Sequence, residues 1–326
     1  MTTGIIVGTF MPPHEGHRAL IRTGAYLVDD LTLIINCCDG DPIASDLRAA
    51  WLTELFPTAR VLVHDNGPSR LPSGHADWGP ILRRLHPMKI DRVIGSESYV
   101  RDLAKQVDAQ HFILDPMWMA FPANAADIRA NPFDNWHFIP GPVRPFFQKR
   151  LTLVGGESTG KSYMVDYLAK HFGGPYVPEF GRPYEKFRDT GDYRAEELHF
   201  IVDGHVAHRN ALAQAAGPIL FEDTDPLLTA VWAEMLLGHS LPDLEDRIDL
   251  PDHYLLLDRN VPWEDDPIRY YGTADMRKRF HDKIVAQLDK HGASYTLIQG
   301  SFAEREAQAI AVTQALLDGN DPAAAV

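Results

Sequence analysis

Short aliphatic, β-branched runs alternate with amphipathic stretches along nearly the whole chain. In the first half the apolar runs are 4–10, 31–36, 60–64, 92–95 and 111–114. Between them, 17–28, 45–56, 78–86 and 98–107 carry apolar residues at helical spacing. In 45–56, for example, Leu47, Trp51 and Leu55 recur every four residues, and Ser45 is placed to cap the helix. Strands alternating with helices predict a parallel sheet wound by right-handed crossovers.

The rhythm breaks at 138–150, where three prolines and a glycine mix with aromatic residues. Such a segment reads as a linker packed on a domain surface. The alternation then restarts. Runs 151–154, 219–221, 254–257 and 295–298 predict strands, and 162–171, 196–215, 226–237, 276–291 and 302–317 predict helices. The tail 319–326 is expected to fray. No internal repeat is visible, so the expectation is two doubly wound parallel-sheet α/β domains that are not copies: 1–137, a linker 138–150, and 151–326.

A length of 326 residues suits two domains, and 45% hydrophobic content suffices for two cores. The net charge of −14 argues against a dedicated nucleic-acid binder. The only cysteines, Cys37 and Cys38, lie in an apolar run as core residues, so a disulfide framework or four-cysteine zinc site is excluded. No leader or membrane-length apolar run is present, and the chain reads as cytoplasmic, without nucleic-acid or membrane partners. Whether it forms a homo-oligomer is left open.

The strongest chemical signal is Gly155-Gly156-Glu157-Ser158-Thr159-Gly160-Lys161-Ser162, a full match to the phosphate-loop pattern G-x-x-x-x-G-K-S/T. It follows a predicted strand and opens a predicted helix, with Met164, Val165, Leu168 and Phe172 on one face. The glycines let backbone N–H groups turn toward phosphate oxygens, Lys161 reaches the β and γ phosphates, and Ser162 ligates Mg²⁺. A loop of this kind takes ATP and needs a metal-directing carboxylate at a neighbouring strand end. Asp223, just past the run 219–221, fits that place, while Asp225 suits either a helix cap before Pro226 or the orientation of an acceptor hydroxyl. Glu179 can accept the acceptor's proton or form a salt bridge to Arg182, which is itself a candidate substrate contact. The loop 261–269 offers Trp263 as a substrate contact and Arg269 as a cation closing over the transferred phosphoryl group, against a plain surface arginine.

A second signal, Gly8-Thr9-Phe10-Met11-Pro12-Pro13-His14-Glu15-Gly16-His17, directly follows the first strand. Two histidines three apart suggest a metal pair, but no third ligand appears nearby. Placed at a helix opening, His14 and His17 instead converge with free backbone donors on phosphates. Gly8 permits close approach of a ligand, and Gly16 a tight helix start.

Here Gly8, Phe10, Pro12, His14, Gly16 and His17 match the G-x-F-x-P-x-H-x-G-H signature of the nucleotidyltransferase superfamily. The segment from Ile128-Arg129-Ala130-Asn131-Pro132-Phe133 through Trp136 and Arg144-Pro145-Phe146-Phe147, leading into Gly155-Gly156-Glu157-Ser158, resembles the NadR-type bifunctional proteins. The resemblance covers essentially the whole chain. It implies a Rossmann-like nucleotidyltransferase domain followed by a P-loop kinase domain. The first would adenylylate nicotinamide mononucleotide with ATP, and the second would phosphorylate nicotinamide riboside. It also implies that Thr9 and Arg48 lie near the first nucleotide site and that Arg129 contacts the triphosphate. The helix-turn-helix module of repressor members is not expected here.

The superfamily's second motif, I-S-x-T-x-I-R, falls on residues 123–129. Ile128 and Arg129 are kept, but Asn124 stands at the serine position and Ala126 at the threonine position. A lost hydrogen bond to a charged group costs about 1.5–3 kcal/mol, so a first domain that senses ligand without turnover stays an alternative. Trp51 is placed either near the nucleotide or in the core. Trp78 can stack on a cationic nicotinamide ring or pack at a helix start.

Overall fold

The computed structural model describes residues 1–71, 75, 77–117, 119–189, 191–260 and 273–326. They divide into two compact units, Met1–Phe146 and Phe147–Val326. No described helix is long and apolar enough to cross a membrane.

The first unit runs β1 (Thr3–Gly8), α1 (Glu15–Leu27), β2 (Asp30–Cys37), α2 (Ser45–Leu55), β3 (Arg60–Asp65), α3 (Trp78–Leu85), β4 (Arg92–Gly95), α4 (Tyr99–Gln106), β5 (Gln110–Ile113) and α5 (Ala125–Ala130), and α6 (Arg144–Phe147) meets its end. Every strand pair is parallel, in the order β3-β2-β1-β4-β5. The chain winds outward in both directions from β1, and in such sheets ligands bind where the winding reverses, beyond the strand's carboxyl end. One apolar layer packs Ile6, Leu33 and Ile35 under Leu20, Ile21 and Leu52; the other packs Ile5, Val7 and Ile34 under Trp78, Leu82 and Leu103. Strands apolar on both faces follow from burial on both sides.

The predicted elements are found within a few residues, with local differences. Ser45 is the first residue of α2 rather than its cap, and its neighbour Ala44 makes no side-chain cap bond. The buried face of α2 is Arg48, Trp51 and Leu52, with Leu47 and Leu55 half-buried. Cys37 is core, while Cys38 is half-buried. Within 138–146, Ile139 and Val143 are fully buried, and a turn of 3₁₀ helix forms at Gly141–Val143, after another at Trp136–Phe138.

The second unit runs β6 (Lys149–Val154), α7 (Lys161–Phe172), β7 (Tyr176–Val177), α8 (Gly181–Glu185), α9 (Ala195–Ala213), β8 (Ile219–Asp223), α10 (Pro226–Leu237), α11 (Pro242–Glu245), β9 (His253–Leu257), α12 (Ala274–Lys290), β10 (Tyr295–Ile298) and α13 (Phe302–Leu317). Its parallel sheet has the order β10-β9-β6-β8-β7. Again the first strand of the unit is central, and winding reverses beside it. The tail does not fray as expected: Pro322–Ala325 form a 3₁₀ turn, and Ala325 packs on the core layer beneath α13.

Candidate nucleotide sites

In the second unit the phosphate loop spans the turn from β6 to α7. Gly155 and Gly160 take φ of 152° and 90°, and Ser158 takes 59°. A side chain at Gly155 would lie 3.0 Å from the Leu257 carbonyl oxygen, so the loop runs tight over the end of β9. The Thr159 hydroxyl and the Lys161 ammonium donate to the Gly156 carbonyl at 2.8 and 3.0 Å. Ser162 Oγ donates to Asp223 Oδ2 at 2.6 Å. Asp223 is the last residue of β8, so the strand runs two residues past the predicted 219–221. Its other oxygen, Oδ1, is buried without a hydrogen-bond partner. Burial raises the pKa of this carboxyl, against the opposing pull of Lys161 and the Ser162 hydroxyl.

A cavity of about 720 Å³ opens beside this loop. Glu157 to Ser162 of the loop line it together with Glu179 and Arg182 and the apolar or aromatic side chains Tyr193, Leu228 and Trp232. Burial raises the Glu179 carboxyl too, while Lys161 and Arg182 lower it and Asp223 raises it further. The cavity thus joins the glycine-rich loop, a carboxyl shifted upward by burial and aromatic and apolar side chains. The sequence pattern did not single out Tyr193, Thr224, Trp232 or Phe302, which line this cavity although they come from separate segments of the chain.

Asp225 goes elsewhere. Its Oδ1 accepts the Leu228 N–H at 3.0 Å as the cap of α10, and its Oδ2 accepts the Tyr254 hydroxyl at 2.6 Å. Both oxygens are taken by the fold, and the helix-cap reading is the one realised. Trp263 and Arg269 lie outside the described residues.

In the first unit, β1 delivers Gly8, Thr9 and Phe10 to the start of α1. Phe10 is wholly buried at φ 47°, and a side chain on Gly8 would meet its ring at 3.1 Å. His14 caps α1: its Nδ1 accepts the His17 N–H at 3.4 Å, and His17 Nδ1 accepts the His14 N–H at 3.3 Å. This is a capping box built from two imidazoles, their centroids 3.7 Å apart. A side chain on Gly16 would meet the His14 ring at 3.1 Å. Burial lowers His14 to about 4 and His17 well below its ordinary value, so both rings are neutral at physiological pH. Among the described residues no group of three or more His, Cys, Asp or Glu side chains is arranged for a metal ion.

Arg129 reaches this place from α5, donating to the carbonyls of Met11 and Ala125. Asn124 caps that helix, accepting the Ala126 N–H at 2.8 Å. The amide therefore does the capping work of a serine. Arg48 is fully buried, paired with Asp41 at 2.8 Å and donating to the Thr9 carbonyl at 2.8 Å. It braces the loop after β1 from beneath. A small opening of about 30 Å³ lies against His14, Gly16, His17, Ser96 and Phe121. Trp78 is not a stacking surface: it is wholly buried at the start of α3, edge-on to His64. Trp51 is core as well, 5.6 Å from the Phe146 ring.

Sheet order, phosphate loop and the paired Ser162 and Asp223 define the class, an α/β nucleotide-binding protein with a P-loop kinase-like unit. Residues 150–305 match the AAA domain family. The chain is 28% identical over 324 residues to the trifunctional NAD biosynthesis/regulator protein NadR of Escherichia coli (strain K12), covering 91% of this chain and 79% of that one. It is equally 28% identical to the Salmonella typhimurium NadR, covering 91% and 78%. Two solved structures share the fold at 23% identity. NadR in complex with NR gives a TM-score of 0.77 over 96% of this chain and 95% of that one, and NadR with NAD and AMP-PNP gives 0.74 over 96% of each. The chain is similar to the NadR proteins over nearly its whole length.

Proposed function

We propose that the chain is a bifunctional enzyme of NAD salvage. Residues 151–326 transfer the γ-phosphoryl group of ATP to the 5′-hydroxyl of nicotinamide riboside. Residues 1–137 join the resulting nicotinamide mononucleotide to the adenylyl group of ATP, releasing pyrophosphate and giving NAD. The names of the curated relatives and the ligands of the solved neighbours support this reading.

The observation that carries it is the single cavity lined by Lys161, Glu179, aromatic side chains and Ser162, whose hydroxyl is bonded to the buried Asp223. The donor set suits Mg²⁺, since an oxygen of Asp223 is buried without a partner beside the Ser162 hydroxyl. When bound with ATP, Mg²⁺ neutralises charge on the phosphate oxygens. Lys161 then leaves the Gly156 carbonyl for the β and γ phosphates. Glu179, its carboxyl biased by burial toward holding a proton, takes the proton of the attacking hydroxyl. Arg182 lines the same cavity and offsets charge on the moving phosphoryl group. Trp232 and Tyr193 offer ring faces to the pyridinium.

In the first unit, neutral His14 and His17 donate N–H groups to phosphate oxygens, and Arg129 adds the positive charge. A second reading keeps this unit as a ligand sensor, favoured by Ala126 at a hydroxyl position. The deciding experiment incubates the chain with ATP, Mg²⁺ and either the riboside or the mononucleotide, using Lys161→Ala and His17→Ala separately. Each variant is expected to lose only its own reaction. Full riboside phosphorylation by Lys161→Ala would defeat the kinase assignment, and a wild-type NAD rate equal to that of His17→Ala would leave the sensor reading.

A further inference from the structure

Arg305 lies one turn into α13 and is 2% exposed, yet no role in transfer chemistry involves it. Its guanidinium donates to three backbone carbonyls from three segments: Gly300 at 2.9 Å, Thr159 at 3.2 Å and Asp258 at 3.3 Å. We propose that Arg305 is a positioning residue for the phosphate loop, tying the loop to the ends of β9 and β10 and holding it in the conformation that receives a polyphosphate. The proposal rests on the nucleotide reading of that loop and adds the group that sets its shape.

The local sequence explains how the arginine arrives there. Ser301 caps α13, and Glu304 returns a bond to the Ser301 N–H at 2.8 Å. Gly300, at φ 96°, supplies the turn, since a side chain there would press on the Glu304 carboxylate at 2.6 Å. This fixes α13's first turn and aims Arg305 beneath the loop.

Peptide geometry supplies the link to ligand. In a planar trans peptide the C=O and N–H point opposite ways. The Thr159 carbonyl is drawn toward Arg305, so the N–H of Gly160, which lines the cavity, is turned away from that buried guanidinium. Anion-binding loops depend on such inward N–H groups. Burial opposes the charge of Arg305, lowering its proton affinity. Three carbonyl acceptors offset that cost, and the guanidinium reaches them from three separate nitrogens, where an ammonium would have to reach all three from one.

The test titrates the full chain with AMP-PNP and Mg²⁺, and in parallel with nicotinamide riboside, by calorimetry well below the unfolding midpoint. Arg305→Met is expected to weaken AMP-PNP binding about tenfold or more, a common size for loss of an outer support at a charged site, with riboside affinity unchanged. Arg305→Lys is expected to recover only part of it, and carries the comparison alone should Arg305→Met not fold. Unchanged AMP-PNP affinity in both variants would overturn the proposal, as would parallel loss of both affinities. A wild type that binds AMP-PNP but does not phosphorylate the riboside would sink the acceptor assignment and leave the Arg305 result standing.

Discussion

The Ser162 hydroxyl and the Asp223 carboxylate meet at 2.6 Å although 61 residues separate them in the chain. Parallel pairing of β6 with β8 sets Leu153 beside Asp223, so the strand's last residue faces the first turn of α7. That juxtaposition makes a direct prediction. Asp223→Asn should lower riboside phosphorylation by about 100-fold or more, read as ADP release under saturating ATP and Mg²⁺. Because burial disfavours the charged carboxylate, the same variant should keep or raise the thermal midpoint. A large fall in that midpoint would mean the carboxylate is structural.

Trp232 lines the cavity while its ring packs 4.6 Å from Phe280. Trp232→Leu should raise KM for the cationic riboside by about 2- to 30-fold, the worth of a cation–π contact of roughly 0.5–2 kcal/mol. KM for ATP should stay constant. A parallel rise in both constants would place Trp232 in the scaffold only.

Stability should fall in acid through His14. Above its ordinary value of 6.5 the ring is neutral in both folded and unfolded chains, and nothing is gained or lost. From 6.5 down to about 4 the unfolded chain binds a proton that the folded one refuses, so stability declines; below about 4 the penalty is complete. His14 alone would remove roughly 3 kcal/mol across that window. Urea midpoints measured across it should decline less steeply for His14→Asn, which keeps a capping side chain, than for the wild type. Equal slopes would show that His14 takes up its proton in the folded state.

Asn124 caps α5, so Asn124→Ala should cost about 1 kcal/mol of stability while Asn124→Ser stays near neutral. Thermal unfolding distinguishes them. The rate of NAD formation should follow the same order, since α5 carries Arg129 to the His14 loop. If Asn124→Ala leaves both unchanged, the cap is dispensable.

The alternation of apolar runs and amphipathic stretches carried most of the fold, because burial on both faces leaves uninterrupted β-branched strands. The short elements β7, α8 and α5 escaped it, being too brief for any periodicity to show. The phosphate loop was legible outright, since few glycine and lysine spacings let a backbone turn around an anion. The pair of histidines was legible as a helix opening, but their mutual capping was not.

Local order of residues therefore settled where strands, helices and anion-binding turns begin, since those depend on neighbours a few positions apart. Folding decided which long-range groups come together. It put Trp78 and Trp51 inside, spent both oxygens of Asp225 on a helix cap and a tyrosine, and brought Arg305 beneath a loop 146 positions away. Hydrogen-bond partners and burial are properties of packed elements, and no spacing along the chain encodes them.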